Sequence, residues 1–177
     1  MSEASATLPF ALLQRIARRL GAGPAMGALP TERCWRGLLF EAAGVPCVVA
    51  AERITEVAYQ PVAVRLPGAP AWLPGLVQLR GALIPLIDLQ ALAGGAPGEE
   101  PARQPLLRLR QGRDQLCLRV DSVSGFGAFD TPGPHASVPP AGLAGILAGV
   151  VGEADEQRWV VDGDRLFRLR PQPVQAD

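Results

Sequence analysis

Gly75-Leu-Val-Gln-Leu-Arg-Gly-Ala-Leu-Ile-Pro-Leu-Ile-Asp-Leu89 is the stretch whose reading decides the fold. It is apolar almost throughout, with Arg80 in its middle. A guanidinium between apolar runs has to be solvated, paired with an acid such as Glu56 or Asp88, or bound by a partner, because a buried unpaired charge is costly. Gly81 directly after it allows the positive φ that other residues resist. Pro85 offers no backbone N–H, so it belongs at a sheet edge, a bulge or a strand end. The stretch therefore reads as two strands joined by a tight turn that displays Arg80.

Outward from there, the pattern repeats. Leu38–Glu41 and Val45–Ala50 read as two strands with Gly44 in the turn. Ala51–Val57 fits either one helical turn or a short strand. Leu107–Arg110 alternates, Gln111-Gly-Arg-Asp114 turns, and Gln115–Asp121 alternates again, with Leu116, Leu118 and Val120 on one face and Cys117, Arg119 and Asp121 on the other. Arg158–Asp162 is a late strand, Gly163 turns it, and Leu166–Leu169 ends the fold. Many short strands with Gly/Pro turns predict an all-β barrel or sandwich. Pro85-Leu-Ile-Asp88 and Trp159-Val-Val-Asp162 both end a strand in Asp, the one hint of a duplicated barrel.

One helix is expected, from Thr7 to Leu20, before a Gly/Ala/Pro linker. Phe10, Leu13, Ile16, Ala17 and Leu20 share a face, Arg15, Arg18 and Arg19 fill the other side, and Gly21 stops it. Its apolar face can cap its own domain or dock on a partner. The expected organisation is a helix and linker over 1–34, a β domain over 35–170 and a tail over 171–177.

Composition narrows the function. The 17 basic residues balance 17 acidic ones, so bulk charge gives no reason to expect nucleic acid or an anionic membrane surface. Every basic residue is arginine, which removes P-loop and Schiff-base lysine chemistry. His135 is the only histidine, and no Gly-x-Ser-x-Gly occurs, so no Ser-His-Asp triad is expected. Cys34, Cys47 and Cys117 are widely spaced and form no Cys-x-x-Cys pair, so neither a metal site nor any other cofactor is expected. Asp162-Gly-Asp164 resembles a fragment of a calcium loop but lacks the other ligand positions and reads as a strand-ending turn. No apolar run reaches the roughly 18–20 residues needed to cross a bilayer, and the first residues lack a leader's basic start and long apolar middle. The expected location is the cytoplasm, without membrane insertion.

The central stretch also resembles a family signature. Gly75, Gln78, Leu79, Arg80, Gly81, Pro85, Asp88 and Leu89 match the G-x-x-N-L-R-G-x-x-x-P-x-x-D-L pattern of the CheW family of chemosensory adaptors, with Gln78 where asparagine is usual. Arg53-Ile-Thr-Glu-Val57, Leu118-Arg-Val-Asp-Ser-Val-Ser124 and Arg158–Phe167 are similar to three further elements of that family, in the same order. Leu8–Ile16 followed by Trp35-Arg-Gly resembles its PilI-type branch, tied to type IV pili and twitching. The resemblance implies two small five-stranded β-barrels side by side and no catalysis. It implies an adaptor between chemoreceptor tips and a CheA-type histidine kinase, held near the membrane by receptor arrays. By motif position, Glu56 and Arg80 would be a polar pair near the receptor-binding side. Ile54, Leu79, Val120 and Val123 would supply apolar surface or core beside it, and Gly75 and Gly81 would set turn geometry. The reading set against this is a small β-barrel that binds single-stranded nucleic acid or a small ligand.

Overall fold

The structure is a computed structural model that describes residues 35–59, 63–95, 104–134, 138–139, 142–152 and 156–169. The expected N-terminal helix, Cys34, His135 and the tail lie outside the described residues. All described residues fall in the unit Arg33–Asp177.

Eleven strands are described: β1 Trp35–Ala42, β2 Val45–Ala50, β3 Ile54–Tyr59, β4 Ala63–Arg65, β5 Gly75–Leu79, β6 Ala82–Asp88, β7 Pro105–Gln111, β8 Asp114–Arg119, β9 Ser122–Phe129, β10 Leu147–Val151 and β11 Arg158–Val161. Two short helices, α1 Leu89–Leu92 and α2 Gly163–Arg168, follow β6 and β11. The strands form two sheets in the orders β10-β11-β2-β1-β9 and β3-β7-β8-β6-β5-β4. The expected pair of five-stranded barrels is present, with the three-residue β4 added at one edge of the second. Ala51–Val57 resolves as both candidates at once: a 3₁₀ turn over Ala51–Arg53, then β3. Leu166–Leu169, expected to end the fold, forms the second half of a helix and its C-cap.

The two sheets are copies of one design with one strand exchanged. In each, a hairpin pairs in parallel with a second hairpin, and a further strand flanks the first. The β1–β2 hairpin maps onto β7–β8 with a shift of 69 residues: Leu38↔Val49 becomes Leu107↔Leu118, and Ala42↔Val45 becomes Gln111↔Asp114. The same shift carries β3 onto β9. Ile54 pairs with Leu109 and Val123 with Phe40, and both strands then skip one residue, Thr55 and Ser124. Yet β3 lies in the second sheet and β9 in the first, so each half of the chain lends its third strand to the other. This exchange ties the barrels together through backbone hydrogen bonds as well as through packing.

Packing follows from the strand alternation. Leu38, Phe40, Ala42, Cys47 and Val49 from the first sheet meet Ile87, Leu107, Leu109, Leu116 and Leu118 from the second in one continuous core. Opposite faces line smaller cores: Val48, Val151 and Val160 in the first barrel, and Val77, Leu79, Ile84, Leu86, Leu106 and Cys117 in the second. The β8 strand alternates as expected, but both of its faces are buried, because it sits between its own barrel's core and the shared one. Burying a side chain such as Phe40 or Leu107 contributes about 2–3 kcal/mol.

The two strand-ending aspartates are the duplicate made visible. Ile87↔Leu118 and Val161↔Val49 are equivalent parallel pairs, so Asp88 and Asp162 occupy matching positions. Each caps the helix that follows: Asp88 Oδ1 accepts from the N–H groups of Gln90 and Ala91 at 3.0 and 3.1 Å. Asp162 Oδ1 accepts from those of Asp164 and Arg165 at 2.9 and 3.2 Å. The Asp-Gly-Asp sequence is thus a helix cap, and the side chain satisfies donors that a helix start leaves open.

Candidate functional site

Three local features build the site. The first is the two-residue turn between β5 and β6, where Arg80 and Gly81 have φ of 49° and 81°. Two positive φ values in succession match the twist of the flanking strands and make a tight hairpin. Glycine adopts them freely, whereas arginine does so at a cost of order 1 kcal/mol. The second is Gly75 at the start of β5. A Cβ there would lie 2.1 Å from the Val64 carbonyl oxygen, so only glycine lets β4 pair this closely. The third is the bulge at Thr55. An unpaired residue re-aims the strand beyond it, and here it sets Glu56 opposite Arg108. The Thr55 hydroxyl pins the bulge by donating to the Arg108 carbonyl at 3.1 Å.

These features bring Glu56 and Arg80 together across 24 residues of chain. Arg80 Nε donates to both Glu56 carboxylate oxygens, at 3.1 and 3.0 Å. Arg108 Nη1 reaches the same carboxylate at 3.3 Å. Gln115 Oε1 holds Arg108 from the other side, accepting from Nε at 2.9 Å and Nη2 at 2.5 Å. Glu56 thus sits between two guanidiniums, one exposed and one mostly buried. The hydrogen bond from Arg80 holds the Glu56 carboxyl below the usual carboxylate range, partial burial opposes this, and Arg108 adds a smaller pull downward. The same contact raises the Arg80 guanidinium further above its ordinary value. With Thr55 and Arg110, these groups line a shallow depression of about 440 Å³.

Of the acids open to Arg80 in the sequence, Asp88 is otherwise engaged. It is 2 % exposed and accepts from Arg119 Nη1 at 3.1 Å. Of the other expected site residues, Ile54 and Val123 are half-buried against the shared core, at equivalent positions in the two barrels. Val120 is 1 % exposed and Leu79 is 9 % exposed, both inside cores, and Gly75 is buried. These three support the surface from beneath, while Arg80, Gly81 and part of Glu56 reach solvent. Arg108, Arg110, Gln115 and Thr55 belong to the site without having been singled out from the sequence. The alternation of Leu107–Arg110 put both arginines on one face; the bulge that aligns them with Glu56 left no mark in the sequence.

The two described thiols, Cys47 and Cys117, are buried. Burial pushes Cys117 up to about 12, with Arg108 pulling the other way, and burial with the Asp121 charge pushes Cys47 up to about 12. Both stay protonated and unreactive near neutrality. No helix among the described residues is long and apolar enough to cross a membrane.

Comparison with known proteins agrees with this architecture. The CheW-like domain family matches residues 36–171. Protein PilI of Pseudomonas aeruginosa is 30 % identical over 162 residues, 86 % of this chain and 87 % of that protein. A probable chemotaxis protein CheW of Rhizobium etli is 39 % identical over 62 residues, 35 % of this chain and 40 % of that protein. The crystal structure of the scaffolding protein TtCheW from Thermoanaerobacter tengcongensis superposes with a TM-score of 0.64 at 18 % identity, covering 81 % of this chain and 99 % of that one. This last likeness is one of fold. With the family match spanning both barrels and their exchanged strands, the chain belongs to the family of CheW-like domains, which are scaffolding adaptors and not enzymes.

Proposed function

We propose that this chain couples chemoreceptors to a CheA-type histidine kinase, in a chemosensory system that governs type IV pili and twitching. The observation that carries the reading is the likeness to PilI, which runs along nearly the whole of both chains. The site is consistent with it. Arg80 and Gly81 at a hairpin tip, with the Glu56 carboxylate reaching Arg80 from β3, form a polar knob, and Ile54 and Val123 offer matching apolar positions beside the shared core. We take the knob and these two residues as the receptor-facing surface, with Leu79, Val120 and Gly75 fixing its shape from below. A bridging module works through several modest contacts whose strength comes from assembly, so it needs rigid barrels and no activated groups. Signal then passes as a shift in the populations of bound arrangements.

The test is a pull-down from cytoplasmic extract with wild type and Arg80→Ala in parallel, read by mass spectrometry. A CheA-type kinase and a chemoreceptor should co-purify with wild type, and the variant should lose one of them while keeping its fold. Recovery of neither, or an eluate dominated by RNA, would sink the reading.

A further inference from the structure

The depression beside Glu56 has more positive charge than its internal pairing consumes. Three guanidiniums, Arg80, Arg108 and Arg110, line it against the single carboxylate of Glu56, in a chain of zero net charge. Arg108 is fully engaged: its side chain is 14 % exposed and held by Gln115 and Glu56. Arg80 is only half engaged. Its Nε serves Glu56, while no hydrogen bond within the described residues uses Nη1 or Nη2, and its side chain is 76 % exposed. The Arg110 side chain is exposed and makes no hydrogen bond or ion pair with any described residue.

The Nη edge of a guanidinium matches the two oxygens of a carboxylate, and such bonds are short and directional. Arg80 is already oriented for one, since Glu56 fixes Nε and the strained turn fixes the backbone. A bound group therefore loses less freedom than it would on a wandering arginine. The Thr55 hydroxyl is committed to the Arg108 carbonyl, so it leaves the arginines and the Gln115 amide nitrogen as the pocket's outward donors. No aromatic lines the depression, so it lacks the aromatic platform on which successive bases of a single strand stack.

We propose that this depression is a carboxylate-docking pocket for an acidic segment of a protein partner, gripped by Arg110 and the free Nη edge of Arg80. The identity of the partner rests on the adaptor reading above; the pocket itself does not. Glu56 sets the limit of entry, because a carboxylate pushed past Arg80 would meet its like charge.

The experiment titrates the isotope-labelled full chain with a capped six-residue peptide bearing two glutamates, and with its glutamine twin, followed by NMR. The glutamate peptide should shift the Thr55 and Arg110 amides and the Arg80 Nε–H signal, and the glutamine twin should not. Arg110→Gln should weaken binding by about fivefold, the upper range for one exposed charge contact. Its denaturation midpoint should match wild type, because the Arg110 side chain has no partner among the described residues to lose. Equal binding of both peptides, unchanged affinity in Arg110→Gln, or tighter binding of a single-stranded RNA oligomer at these residues would overturn the pocket. A parallel assay offers purified receptor and kinase fragments to wild type and Arg110→Glu. Equal partner binding by both refutes the pocket and leaves the adaptor reading intact. Partner binding by neither, with the glutamate peptide still bound, refutes the adaptor reading and leaves the pocket intact.

Discussion

Asp88→Ala and Asp162→Ala should differ sharply although the two aspartates hold equivalent places. Each substitution removes a helix cap, a loss of about 1 kcal/mol. The surroundings then separate them. The Asp88 side chain is 3 % exposed and paired with Arg119, itself 14 % exposed, so its removal breaks a buried ion pair. Such a break costs about 3–5 kcal/mol. Arg119 keeps other contacts, which places it at the low end, so the total is about 4 kcal/mol. Asp162 pairs with Arg165 at 3.2 Å in a half-exposed contact one helical turn away, which adds only about 0.3 kcal/mol. At about 3 °C per kcal/mol for a unit of this size, Asp88→Ala should lower Tm by about 12 °C and Asp162→Ala by about 4 °C. Asp88→Asn keeps a capping oxygen but loses the charge, and should fall between them. Thermal melts followed by far-UV circular dichroism measure all three. Equal shifts for the two alanine variants would refute the claim that burial of the ion pair, and not the cap, dominates at Asp88.

Gly75→Ala should destabilise more than Gly81→Ala, although only Gly81 has positive φ. At Gly81 a Cβ meets nothing within 4 Å and the cost is the backbone's, about 1–2 kcal/mol; at Gly75 it strikes the Val64 carbonyl, so hydrogen exchange should show β4 released, and a protected β4 would count against this. The Glu56 carboxyl should titrate below the ordinary glutamate range in wild type and move up in Arg80→Ala, as read by carbon-detected NMR. Because folding lowers that pKa, its stabilising contribution is present above the ordinary value and fades as pH falls through the folded one; an unmoved midpoint would show that Arg80 is not the cause. In a Cys34→Ser variant, a thiol reagent at pH 8 should label neither Cys47 nor Cys117 until denaturant is added, and fast labelling of native protein would contradict their burial.

The hairpins were legible because their signals are local. Gly44, Arg80-Gly81 and the alternation around Gln111–Asp114 fix turns and faces within a few residues. The duplication was nearly invisible. Most of its equivalent positions share burial and not identity: Phe40 matches Leu109, Leu39 matches Arg108, and Glu56 matches Gly125. Leu38 matches Leu107 and Gly75 matches Gly149, but the strand-ending aspartates are the polar pair that kept its residue type, because a cap demands a short acceptor side chain while a core position demands only volume. The strand exchange was illegible for a different reason: β3 pairs with β7, some fifty residues on, and no pattern within either strand names its partner. The same holds at the site. The motif displayed Arg80 and Glu56, but the bulge at Thr55 that adds Arg108 and Gln115 is a matter of register, which only the folded sheet determines.

The central claim is that this chain joins a receptor to a kinase, and reconstitution tests it most directly. Purified chain, a soluble chemoreceptor signalling fragment and the CheA-type kinase of the same organism are mixed in all combinations, and kinase autophosphorylation and complex size are measured. The account predicts that receptor control of the kinase, and a complex holding all three, appear only when the chain is present, and weaken with Arg80→Ala. Receptor control that is the same with and without the chain would contradict it.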